Sequence, residues 1–315
     1  MAKIAVELER ALARRAVNGT PGQTNVHLLA EDVGWKVEDV ICTSGPRDRP
    51  FEEQHAGFTI AVVAAGSFQY RGATAHGSGR ELMTPGSILL GNAGECFECG
   101  HDHGAGDRCI SFWYAPEYFE RLAADAGVRG RSLDFRIVRL PPLRALSPLV
   151  ARACAGVTGS ASTSVEVPWE EVSVQLAAQA IELASGLFPE PLGAPPAAVA
   201  RVTRTVRVIE HSPDARLTLT SLAREARLSP YHFLRTFQRV TGMTPHRYIQ
   251  RTRLREAATR LGVESARIID IALDCGFGDL SNFNHAFRSE FGISPRGYRL
   301  RTASRNSSHR NRRSP

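Results

Sequence analysis

No stretch of this 315-residue chain approaches eighteen consecutive apolar residues, which excludes an α-helix long and apolar enough to span a membrane. Met1 to Val17 lacks an apolar core segment and reads as a charged amphipathic helix, so a secretory signal is not expected. With no export signal, the six cysteines at 42, 96, 99, 109, 154 and 275 read as reduced thiols rather than a disulfide framework. The expected compartment is the cytoplasm. Lysine is absent from residues 197–315, where 22 Arg against 9 Asp/Glu leave a net charge of +13. Residues 1–196 hold 17 Lys/Arg and 23 Asp/Glu, a net of −6. Such a split between halves points to a polyanion as partner of the basic half. A merely soluble Arg-rich surface is the alternative.

The length suffices for two domains, each with its own core. Short apolar runs bounded by Gly, Pro and Asn fill residues 20–140, among them Phe58-Thr-Ile-Ala-Val-Val, Ser87-Ile-Leu-Leu and Cys109-Ile-Ser-Phe-Trp-Tyr. They predict strands of a small barrel or sandwich. Residues 142–156 and 168–188 turn helical, with Val172, Leu176, Ala180 and Ile181 on one stripe. A flexible loop is expected at 156–164 and a Pro-rich interdomain linker at 189–196. The pattern is then helical to Arg301, and Thr302 to Pro315 reads as a disordered basic tail. The expected domains are therefore 1–190, 197–301 and the tail 302–315.

The last third repeats itself. Phe233, Phe237, Gly242, Pro245 and Tyr248 recur fifty residues on as Phe283, Phe287, Gly292, Pro295 and Tyr298. One supersecondary unit has been built twice. In each copy a short helix and a turn lead to a second helix, capped by Ser229 or Asp279 and ended by Gly242 or Gly292. That is the outline of a helix-turn-helix. Tyr231, Leu234, Arg235 and Gln238 share the outer stripe of the first copy, at i, i+3, i+4 and i+7. Ser281, Asn284, His285 and Arg288 do so in the second. Arg suits guanine edges or phosphate, and Asn and Gln suit adenine edges. A helix from Pro245 to about Leu261 would hold the two reading helices apart. A gap of roughly 34 Å, one turn of B-DNA, would seat them in successive major grooves.

On these residues the C-terminal part resembles the AraC/XylS family of bacterial transcription regulators. The carrying stretches are Leu228-Ser-Pro-Tyr-His-Phe-Leu-Arg, Pro245-His-Arg-Tyr-Ile and Ile268-Ile-Asp-Ile-Ala-Leu-Asp-Cys-Gly-Phe-Gly-Asp-Leu-Ser-Asn-Phe. The resemblance implies double-stranded DNA as partner. It implies base contacts from Tyr231, Leu234 and Arg235, with Gln238 nearer the backbone, and from Leu280, Ser281, Asn284 and His285 in the second unit. Family members often carry Arg where this chain has His285, which implies that the second unit leans more on phosphate contacts, and these position without specifying. It also implies an N-terminal cupin-like β-barrel with helices that senses a small-molecule or redox effector and forms a homodimer. The whole is then an α+β chain ending in an all-α domain of two helix-turn-helix units.

One segment stands outside this scheme: Glu95-Cys-Phe-Glu-Cys-Gly-His-Asp-His-Gly-Ala-Gly-Asp-Arg-Cys. In extended structure Cys99, His101 and His103 share a side, and Cys109 could return on the adjacent strand through the turn at Gly104 to Gly106. The set could bind zinc. It could instead be a low-pKa thiolate activated by histidines, or an ordinary Gly-rich surface turn. The usual metal-binding pattern of cupins is not present. Two rival functions follow: a cupin-type metalloenzyme with a fused DNA-binding tail, and a nucleoid-type binder without sequence preference. No catalytic residue is assigned.

Overall fold

A computed structural model describes residues 3–74, 77–126, 133–158, 167–186 and 194–310. The N-terminal half opens with α1 (Lys3–Asn18) and continues through β1 (Thr24–Asp32), β2 (Trp35–Cys42), β3 (Phe51–Gln54), β4 (Phe58–Gly66), β5 (Phe68–Thr74), β6 (Gly77–Met83), β7 (Ile88–Gly91), β8 (Cys96–Gly100) and β9 (Asp107–Tyr114). Then come α2 (Pro116–Asp125), β10 (Arg139–Leu140), α3 (Ser147–Gly156) and α4 (Trp169–Gly186). Among the described residues the strands form two antiparallel sheets, β1-β2-β9-β4-β7-β10 and β3-β8-β5-β6. Neither closes on itself, so the expected barrel takes the form of two facing sheets.

Alternation along the strands builds the layers. Ile60, Val62 and Ala64 of β4, with Ile110, Phe112 and Tyr114 of β9, share a core with Leu149, Leu176 and Ala180 of the helices. The opposite face of the same strands, Ala61, Val63 and Cys109, packs with Tyr70, Met83 and Cys99 of the smaller sheet. A strand buried on both faces reads as a continuous apolar run, which is why Phe58 to Ala65 shows no polar face.

The C-terminal half is helical: α5 (Pro196–His211), α6 (Leu219–Glu225), α7 (Pro230–Thr241), α8 (Pro245–Val263), α9 (Ile268–Asp274), α10 (Leu280–Phe291) and α11 (Pro295–Arg310). The tail expectation fails in part. α11 runs past residue 301 to Arg310, because Ser294 caps its start and Tyr298 roots it in the core. Extending a helix already nucleated needs no apolar stripe. Residues 311–315, most of the linker read at 189–196 and most of the loop read at 156–164 lie outside the described residues.

The halves meet closely. Ala151 of α3 belongs to the core of the second helix-turn-helix, and Leu82 of β6 to that of the first. Arg139 donates to the Val240 and Thr241 carbonyls, and Arg255 to the Pro85 carbonyl at 3.0 Å.

Candidate nucleic-acid interface

The fifty-residue repeat in the sequence is a repeat in space. Phe233 and Phe237 have ring centroids 5.5 Å apart at 59°, and Phe283 and Phe287 lie 5.5 Å apart at 55°. Tyr248 meets Phe237 edge-on at 5.6 Å and 83°, and Tyr298 meets Phe287 at 5.5 Å and 81°. Edge-to-face rings with these spacings fix orientation as well as burying area, so each second helix is clamped to the helix that follows it. Ser229 Oγ and Asp279 Oδ1 accept from the backbone N–H three residues on, and Gly242 and Gly292 end the helices in the left-handed region.

The turns differ by one residue. Arg227 N–H donates to the Arg224 carbonyl and Leu228 N–H to that of Ala223; Gly276 N–H donates to Leu273 and Phe277 N–H to Ala272. The helix ends therefore match at an offset of 49, and the second turn carries one extra residue before its cap. At the left-handed position the second copy has Gly276 (φ 85°), whereas the first has Arg227 (φ 53°).

Burying the phenylalanines turns the other face outward. Tyr231, Arg235 and Gln238 on α7 are exposed, as are Ser281, Asn284, His285 and Arg288 on α10. Leu234 and Leu280 are half-buried, and Leu280 packs against the second core. Arg235 donates to the Tyr231 hydroxyl at 3.1 Å, with its guanidinium 5.9 Å from the ring centre. On α10, Asn284, His285 and Arg288 line one concavity together with Arg296 of α11. Arg296 escaped the sequence reading; its signal was its place just inside the Ser294-Pro295 helix start.

Part of the positive charge of this half is engaged within the protein. Arg251 pairs with Glu290 at 3.1 Å and donates to the Pro142 carbonyl. Arg255 pairs with Glu210 at 3.1 Å. Arg260 bridges Glu264 and Asp274 at 3.1 and 2.9 Å. Arg253 donates to three backbone carbonyls, Pro213, Gly276 and Ala215. These arginines fasten α8 between the two units.

A family profile described as a helix-turn-helix domain matches residues 222–301. The transcriptional activator AarP of Providencia stuartii is 37% identical over 92 residues, covering 29% of this chain and 68% of AarP. This chain belongs to the AraC/XylS family of transcription regulators. The transcriptional activator RhaS of Salmonella arizonae is 26% identical over 263 residues, 79% of this chain and 87% of RhaS, so the likeness extends into the N-terminal half. A solved AraC-type regulator from Chromobacterium violaceum is 29% identical over 33% of this chain and 92% of its own, with a TM-score of 0.31. As an AraC/XylS-type regulator, the chain binds DNA through its helix-turn-helix domain.

In this regulator the cysteine and histidine set is not arranged as the spacing suggested. β8 and β9 are not neighbours: β8 pairs with β3 and β5, while β9 pairs with β2 and β4. Residues 101–106 carry the chain from one sheet to the other, so Cys109 shares a core with Cys99 across the two sheets and does not lie on an adjacent strand. His103 sits half-exposed in the turn, whereas Cys99, His101 and Cys109 are buried. A surface turn is therefore excluded for these three. Burial, and then the charge of Asp107, pushes the Cys99 and Cys109 thiols well above their ordinary value, the reverse of an activated thiolate. Among the described residues the grouping of metal-ligand size is Cys42, His101 and Asp107. Only His101 was on the expected list.

Proposed function

We propose that α7 and α10 enter successive major grooves on one face of a duplex. Tyr231, Leu234 and Arg235 would read the first site, Leu280, Ser281, Asn284 and His285 the second. Gln238 and Arg288 would hold the backbone beside them. The observation that carries this reading is the exposure of Arg235 and Asn284 on the outer faces of twin helices whose other faces are buried. Base contacts specify, and phosphate contacts position. The exposed Arg239 and Arg296 supply phosphate partners next to the readers.

The two-sheet half is, on this reading, a cupin-like sensor whose effector sets the activity of the DNA-binding half. The shared cores and the arginine bonds across the junction support it, since they give the halves a common free energy. Two chains pair through the edge strand β1, where Val26 and Leu28 expose apolar side chains two residues apart. Selection of bound sequences from random DNA, followed by competition with unrelated duplex, tests the regulator reading. Two half-sites one helical turn apart are expected. Binding governed by salt alone, with no enriched sequence, would overturn it.

A further inference from the structure

Cys42 and Asp107 face each other across β2 and β9, as partners in the strand register. His101 reaches them through the 101–106 crossing. All three residues are at most 5% exposed, and their ligand atoms lie within 4.8 Å of one another. His101 Nε2 sits 2.7 Å from Asp107 Oδ1, while its Nδ1 is buried and meets no hydrogen-bond partner within the protein. A cation shared by His101 and Asp107 would take the place of this Nε2–Oδ1 contact. Cys109 flanks the set, its thiol donating to Asp107 Oδ2 at 3.3 Å.

We propose that Cys42, His101 and Asp107 bind a zinc-class divalent cation, and that this ion is the effector of the DNA-binding half. Thiolate, imidazole and carboxylate together suit a borderline-soft ion of this kind, whereas magnesium and calcium take oxygen donors. Charge closes as well. Cys42 gives up its thiol proton to solvent as the sulfur–metal bond forms. The thiolate and the Asp107 carboxylate then balance the dication, and His101 stays neutral. A water fills the fourth position of a tetrahedral site.

The route to the DNA-binding half is Arg207 of α5. Its guanidinium lies in the crossing loop and donates to the Ala105 and Ser67 carbonyls at 3.3 and 3.5 Å. Gly104 leaves the room: a Cβ there would fall 1.8 Å from Arg207 Cζ. Burial lowers the pKa of Arg207, and Asp107 is the nearby anion that opposes this. A cation on Asp107 takes that charge away and loosens the hold of the loop on α5. Metal binding thereby shifts how α5, and the helix-turn-helix packed on it, sits.

This rests on the sensor reading above and is tested apart from it. Tag-free full-length protein, reduced and metal-free, is titrated with Co(II). One ion per chain is expected, with a thiolate-to-cobalt charge-transfer band displaced by Zn(II). The band should vanish in Cys42→Ser, weaken in Asp107→Asn, and persist in Cys96→Ser, whose thiol is exposed. No band in folded protein, or one indifferent to Cys42→Ser, overturns the site. If Cys42→Ser does not fold, X-ray absorption at the zinc edge of the parent protein decides: a mixed sulfur and nitrogen/oxygen shell supports it, a shell without sulfur refutes it. Zinc should then change the dissociation constant for selected DNA by roughly 5–150-fold, the usual span of coupled sites, and Arg207→Ala should abolish the change. Equal DNA affinity with and without zinc overturns the effector role. Specific DNA binding by the metal-free chain is measured in the same series and reports on the regulator reading separately.

Discussion

Arg253 Nη1 donates to the Gly276 carbonyl at 2.7 Å, and the same guanidinium holds the Pro213 and Ala215 carbonyls at 2.6 and 3.0 Å. One side chain on α8 thereby ties the turn of the second helix-turn-helix to the loop preceding the first. Gly276 is in the left-handed region, and a Cβ there would come within 2.7 Å of Asp214 Cα and 3.0 Å of the guanidinium. The small residue lets turn, loop and arginine converge.

Arg253→Ala is therefore expected to destabilise the fold by about 2–4 kcal/mol, since charge-assisted bonds to carbonyls are lost and those carbonyls stay partly buried. Arg253→Lys should recover only part of this, because an ammonium lacks the planar fork. Urea unfolding of the three proteins checks it. A loss under about 0.5 kcal/mol for the alanine variant would remove the tie from the account.

Arg235→Ala should lower affinity for the selected sequence by about 1–3 kcal/mol while leaving thermal stability unchanged. Tyr231→Phe should cost less, because it removes only the hydroxyl that orients Arg235. Gel shifts on specific and random duplexes distinguish base reading from charge: equal loss on both would assign Arg235 to phosphate.

Arg227 occupies a left-handed conformation that costs a side-chain-bearing residue about 1–2 kcal/mol. Arg227→Gly is expected to raise stability by about 0.5–1 kcal/mol after the added chain entropy of glycine is subtracted. It is also expected to weaken DNA binding slightly, through one lost exposed charge. A lowered melting temperature would contradict the strain assignment.

His55 is buried against Phe97, its Nε2 2.8 Å from the Tyr70 hydroxyl. Burial lowers its pKa from 6.5 to about 4. Above about pH 6.5 the group is neutral in both states and contributes nothing to pH dependence. As pH falls towards 4, the unfolded chain takes up a proton that the folded chain refuses, so stability declines, by on the order of 2–3 kcal/mol at the lower end. His55→Gln should flatten this slope in urea midpoints measured between pH 7 and 4. An unchanged slope would point to other groups.

The DNA-binding half was legible because its information is local. Caps, aromatic spacing and terminal glycines lie within one unit, and duplication showed them twice. The charge argument was right in direction and coarse in detail, since Arg251, Arg253, Arg255 and Arg260 spend their charge on carbonyls and carboxylates inside the protein. Their helix is packed against α3, α5 and α11.

The strand pairing behind the cysteine and histidine reading is not the one found, for a different reason. That reading assumed that β8 and β9 pair because they adjoin in sequence. Cys42 lies far upstream and meets Asp107 only through the register of β2 on β9.

Sequence alone settled the twin helix-turn-helix and the outward residues of its second helices, because period and capping are properties of a chain segment with itself. Only the tertiary structure decided which buried groups meet between the sheets, and which arginines are free for DNA. Those depend on strand order and helix docking, and neither leaves a mark at fixed spacing.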